Sequence, residues 1–195
     1  MTRNESSTLA LSRRNLLKTG AVGVGAFSVV PATTTGKRPT TQTVDVYGQV
    51  DNEDREVYAE DGAAITRTSN GVITSVSIPT PESGEYNYPE GAEEGHPEAF
   101  TLWVFVFDDP DDEAWTGAFL GAGHVVGGSQ LTLNGQVTKQ TDPFLGDHLE
   151  NPQDAEVHLA VAPHGEVDPD ELPDQIQTPS GGPPYWWLAT FEPPE

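Results

Sequence analysis

The chain has no cysteine in 195 residues. That absence excludes disulfides, thiolate zinc sites, iron–sulfur clusters, c-type haem and lipid attachment through cysteine. It also excludes blue copper, which needs a thiolate and usually an axial methionine. The only methionine is Met1. Basic residues are scarce, 9 against 31 acidic, for a formal net charge of −22. Nucleic acid and anionic membranes are disfavoured as partners, because both are held by basic patches. No apolar run reaches the roughly 20 residues that a membrane-spanning helix needs. The last residues, TFEPPE, have no hydrophobic tail, so no membrane anchor is expected in the mature chain.

What is present begins near the N-terminus. Ser12-Arg13-Arg14-Asn15-Leu16-Leu17-Lys18 precedes a weakly apolar, glycine-rich stretch, Thr19–Val30, and Val30-Pro31-Ala32 supplies small residues for cleavage. A basic start, an apolar middle of roughly 7–15 residues and a small-residue end form the order of an export signal. The block resembles the twin-arginine (Tat) signal, whose pattern is S/T-R-R-x-F-L-K, with Leu16 where Phe is usual. The resemblance implies that the Tat export machinery reads Arg13, Arg14, Leu16, Leu17 and Lys18. It implies cleavage near Ala32 and an extracytoplasmic product, secreted or cell-surface associated, delivered already folded.

Removing residues 1–32 takes away four basic residues and one acidic residue. That leaves 5 basic against 30 acidic, a net of −25. Such self-repulsion destabilises a compact state at ordinary ionic strength. At molar salt the Debye length falls to about 3 Å and the repulsion is screened. The composition therefore fits a halophilic archaeon.

Residues 33–42 (TTTGKRPTTQ) are threonine-rich without periodicity and read as a flexible linker. The remainder, 43–195, suits one domain with a sizeable core. Ala64–Ser69 and Val72–Ile78 flank Asn70-Gly71, a strong hairpin signal. Asn134-Gly135, between Ser129–Leu133 and Gln136–Gln140, predicts a second hairpin in the same way. Phe100–Phe107 is apolar on both faces and predicts a central, fully covered strand. Glu156–Ala162 puts Val157, Leu159 and Val161 on one face. Trp186–Phe191 predicts the last strand, and Val44–Val50 and Glu56–Ala59 are weaker ones. Helical turns are predicted at Glu113–Gly121 and after an Asp168 N-cap with Pro169 first. Pro173 limits the second of these to one turn. The pattern predicts an all-β fold: an antiparallel β-sandwich with long acidic loops.

Five blocks then stand out: ITRTSNGV at 65–72, AFTLWVFVFDDP at 99–110, GAGHVVGG at 121–128, AEVHLAVAPHG at 155–165 and QIQTPSGG at 175–182. In this order they resemble an uncharacterised family of secreted prokaryotic β-domain proteins. That resemblance implies no particular activity. Bacterial members often carry an Arg before the second His, where this chain has Ala162-Pro163-His164, so no role of that Arg transfers.

Candidate chemistry is sparse. A mononuclear zinc or copper site needs three or four ligands within about 2.0–2.2 Å of the ion. Neither HExxH nor a close His-x-His pair is present among His96, His124, His148, His158 and His164. One reading gathers His124, His158 and His164 around one Zn or Cu ion. It requires Pro163 to turn the chain sharply, since His158 and His164 are about 20 Å apart on an extended strand. The opposing reading leaves the histidines hydrogen-bonded or solvated and expects no cofactor. The acidic runs 108–113 and 168–174 lack the glycine of a calcium loop and read as solvated surface. Tyr185, Trp186 and Trp187 are candidates for ligand stacking. Adjacent residues on a strand face opposite ways, so one Trp is expected inside and one outside.

Two functions follow. The first is a Tat-exported, salt-adapted extracytoplasmic β-domain with a binding or cell-envelope structural role and no assigned catalysis. The alternative is a metal-dependent enzyme or metal carrier built on the three histidines.

Overall fold

In a computed structural model, residues 38–48, 56–81, 93, 96–109, 116–126, 128–178 and 186–194 are described, with only the backbone at 122–126. The export signal, most of the linker, Trp115 and Tyr185 lie outside these residues. The strands are β1 (Thr40–Tyr47), β2 (Val57–Arg67), β3 (Gly71–Pro79), β4 (Glu98–Phe107) and β5 (Gly117–Val126). They continue with β6 (Gln130–Thr138), β7 (Leu145–Gly146), β8 (Glu156–Glu166) and β9 (Trp187–Phe191). One helical turn, α1 (Leu172–Gln175), precedes β9. All pairings are antiparallel, in the order β6-β3-β2-β1-β9-β8-β4-β5-β7. The fold is all-β, as the strand pattern predicts.

The two layers are parts of one sheet. β6-β3-β2-β1 meets β9-β8-β4-β5-β7 through a single residue pair, Tyr47 with Leu188. β1 breaks register beside that junction, between Val44 and Tyr47. The main core contains residues of both layers, among them Ile65, Val72, Val76 and Leu133 from one and Phe100, Val104, Leu159 and Phe191 from the other. On β3, Val72, Thr74, Val76 and Ile78 are all buried while Ile73 is exposed. β4 is apolar on both faces because it lies between β5 and β8 and is covered on each side. Its even positions enter the main core, and Trp103 joins a second cluster on the outer face.

Both Asn-Gly expectations need correction. The hairpin at 68–71 exists, but neither Asn70 nor Gly71 has positive φ. Thr68 closes that turn through its backbone and hydroxyl, both bonded to Gly71. Gly71 is required for another reason: a Cβ there would stand 2.2 Å from the Val137 carbonyl oxygen. At Asn134-Gly135 there is no turn, since β6 runs straight through and pairs with β3 along its length. A Cβ at Gly135 would lie 3.0 Å from the Gly121 Cα of β5. That glycine lets the two layers approach backbone to backbone.

Other boundaries shift. β1 starts at Thr40, inside the segment expected as linker, and runs to Tyr47; Gln49 and Val50 of the expected strand lie outside the described residues. Residues 117–121, expected at the end of a helix, form the start of β5. The single turn α1 forms, but Glu171 is its N-cap and Pro173 sits in its first turn, where a missing N–H costs nothing.

Arg67 ties the layers together. It stands inward on β2 after Ala63 and Ile65 and is almost fully buried. Its Nε donates to Gln42 Oε1 at 2.8 Å. Nη1 donates to the carbonyls of Ala155 and Pro152, and Nη2 to those of Phe191 and Glu192. Burial lowers its pKa, and Asp154 acts in the opposite direction.

Candidate functional site

The chemistry-bearing side chains gather on the outer face of the five-stranded layer. Alternation on β4 sends Thr101, Trp103 and Phe105 to this face while Phe100, Leu102 and Val104 enter the core. On β8 the same alternation sends Ala160 and Ala162 outward with His158 and His164. Trp103, Ala160, Ala162 and Trp186 form the buried part of this cluster, with Phe105, Leu120 and Leu188 packed against it.

His164 occupies one end of the face. It is 7 % exposed, and its Nε2 is hydrogen-bonded to Thr101 Oγ1 at 2.8 Å. Burial pushes its pKa down to about 4, so the ring is neutral at pH 7. Gln175 of α1 clamps the end of β8, donating to the carbonyls of His164 at 3.1 Å and Glu166 at 2.8 Å. Just outside, His96 Nδ1 donates to Glu166 at 2.7 Å, and that bond raises the His96 pKa.

His158 occupies the other end. Its Nε2 donates to Glu156, two residues earlier on the same strand face. Its ring lies 4.6 Å from the ring of Phe107, centroid to centroid. His148 lies apart, donating from Nδ1 to the Thr141 carbonyl at 3.0 Å.

The backbone sets His158 and His164 apart on one strand, and the His124 side chain lies outside the described residues. β8 continues through Pro163, which pairs with Phe100, so the chain does not fold back. Six positions of extended strand separate His158 from His164 by about 20 Å, too far to share one ion. A register shift between Pro163 and Glu166, with Gly165 at φ 75°, accommodates the proline within the strand. His124 lies opposite Phe100 in the β4–β5 ladder. Among the described residues no three His, Asp or Glu side chains converge.

The tryptophans divide as alternation requires. Trp187 is in the main core, tilted against Tyr58 and edge-on to Phe100. Trp186 faces the other way, but it is only 6 % exposed and stacks on Phe105 at 5.9 Å with 22° between planes. It is a buried packing residue rather than an open platform. Trp103 meets Phe144 edge-on at 5.2 Å, and its buried indole N–H has no hydrogen-bond partner among the described residues. The cluster reaches solvent at Phe144 and Leu145, 45 % and 49 % exposed, beside the two-residue edge strand β7.

Sequence reasoning missed Thr101, Phe105, Phe144, Leu145 and Gln175. The period-2 pattern of β4 carries a signal for Thr101 and Phe105, and Phe144-Leu145 is an apolar pair within an otherwise polar loop. Nothing local marks Gln175. No known protein family, no curated protein and no solved structure matches this chain.

Proposed function

We propose that this chain is a Tat-exported, salt-adapted extracytoplasmic β-domain that binds a partner or builds envelope structure. In this reading Arg13 and Arg14 address the export machinery, and nucleic acid and membrane lipid are not partners. The observation that carries a binding role is the outer aromatic cluster. It ends in two adjacent large apolar side chains, Phe144 and Leu145, that remain exposed in a chain of net charge −22. Exposed apolar groups at the edge of a continuous apolar cluster mark interaction surfaces.

The test is fractionation of native cells that express three forms. Wild-type protein should partition with the envelope. Phe144→Ser combined with Leu145→Ser should shift it to the medium while the protein stays cooperatively folded, with only a small fall in melting temperature from the lost Trp103 contact. Arg13→Lys with Arg14→Lys should leave it in the cytoplasm, because the pathway reads the guanidinium pair and not charge alone. Unchanged partitioning of the first variant contradicts the binding surface, and undiminished secretion of the second contradicts the export route.

A further inference from the structure

The outer face of the four-stranded layer carries a different pattern. Its outward residues fall into cross-strand rows. Thr41 stands opposite Thr66, Thr66 opposite Ile73, and Ile73 opposite Gln136. The next row runs from Thr43 through Ser75 to Asn134. Hydroxyls lock neighbouring strands: Thr41 with Thr66 at 2.9 Å and Ser77 with Thr132 at 3.1 Å. No Asp, Glu, Lys or Arg stands at an outward position of these rows, in a chain with 31 acidic residues. Strand structure itself does not exclude acids here, because Asp45, Glu60, Asp61, Glu98, Glu156 and Glu166 all lie in strands.

The two ends of this face differ in charge. Arg38 precedes β1 and Lys139 follows β6, where its N–H donates to the Asn70 carbonyl of the hairpin turn. Both are exposed, and the third basic residue among the described ones, Arg67, is buried. At the opposite end stand Asp45, Glu60 and Asp61, with the Asp61 N–H donating to the Asp45 carboxylate at 2.8 Å. The face therefore has one end that carries both exposed cations, with Asp142 three residues beyond Lys139, an uncharged middle and an end that carries only acidic groups among the described residues.

We infer that this face is the interface of a two-fold homodimer, formed with the strands of the two copies running in opposite directions. Two strongly acidic molecules can bury against each other only where neither must desolvate carboxylates. A two-fold axis crossing the strands sets the cationic end of each copy over the anionic end of the other, twice per dimer. Four strands at about 4.8 Å and about six residues at roughly 3.3 Å give a patch of roughly 400 Å² per copy. That is below the roughly 800 Å² per partner of stable association, so the dimer is weak, transient and concentration-dependent. Salt screens the long-range repulsion between the two copies, and it weakens much less the end-to-end pairs that become partly buried in the interface. The dimer follows from the charge pattern of the domain alone and holds whether or not the chain is exported.

Sedimentation velocity of the purified protein over a protein concentration series in molar KCl, where the domain is folded, tests this. The expected result is a dimer fraction that rises with protein concentration. Ser75→Glu, in the uncharged middle, should raise the dimer Kd at least tenfold while leaving the melting temperature unchanged. Lys139→Glu and Glu60→Lys should each weaken the dimer, and mixing the two variants should restore it, because opposite ends meet across the axis. Phe144→Ser should leave the dimer intact. A monomer at every concentration overturns the inference. So does a dimer that Ser75→Glu leaves unchanged or Phe144→Ser abolishes, or two weakened charge variants that fail to recover on mixing.

Discussion

Replacing Arg67 by methionine removes the one cation that is buried among the described residues. Methionine retains most of the length and packing of the side chain but none of its donors. Five acceptors then lose their donor: Gln42 Oε1 and the carbonyls of Pro152, Ala155, Phe191 and Glu192. The bonds to Pro152, Ala155 and Phe191 are buried. Each buried acceptor left unsatisfied costs about 1–3 kcal/mol. Against this stands the relief from desolvating a guanidinium, so the net loss is about 2–4 kcal/mol. A domain with 5–15 kcal/mol of total stability would lose a large fraction of it. Arg67→Lys should lie between, because an ammonium has three donors and no planar fork. Urea unfolding in molar KCl is the appropriate assay, since salt screens the extra unit of negative charge. A loss below about 1 kcal/mol for Arg67→Met, with an unchanged denaturant slope, would refute the keystone role.

Two further substitutions probe buried polar groups. Thr74 is buried on the inner face of β3, and its hydroxyl has no hydrogen-bond partner among the described residues. Thr74→Val should therefore stabilise the protein by about 1 kcal/mol, raising Tm by about 2–4 °C; a lower Tm would show that the hydroxyl has a partner. His164 has its folded-state pKa lowered to about 4 by burial, so between pH 6.5 and 4 the unfolded chain binds one more proton than the folded one. Stability should fall as pH drops through that window, by at most about 3.4 kcal/mol. His164→Gln should lack this component, and because other groups titrate alike in both proteins, the difference between the two pH profiles isolates it. Identical profiles would contradict burial of a neutral imidazole.

The strands that form the core were legible because burial imposes period 2. Val72, Thr74, Val76 and Ile78 on β3, and Val157, Leu159 and Val161 on β8, alternate as the structure buries them. The doubly apolar run of β4 marks its central place in the same way. Asn134-Gly135 was misleading because a glycine serves two purposes: it permits a tight turn, and it permits close approach of another backbone. Only the tertiary contact with Gly121 distinguishes them. The Thr101–His164 bond joins residues 63 positions apart, and no local pattern encodes such a pairing. Arg67 follows the inward period of Ala63 and Ile65, yet its acceptors lie on distant segments of the chain. The uncharged face is visible in sequence only once the register fixes which residues share a row.

Folding as a function of salt tests most directly the proposal that this domain is adapted to high salt. Thermal melts followed by far-UV circular dichroism, from dilute buffer to about 3 M KCl, supply the measurement. The net charge of −22 repels itself over about 30 Å at 0.01 M salt and over about 3 Å at 1 M. The melting temperature should rise steeply across that range, with cooperative unfolding only at the high-salt end. A melting temperature independent of salt, or a cooperative fold in dilute buffer, would contradict it.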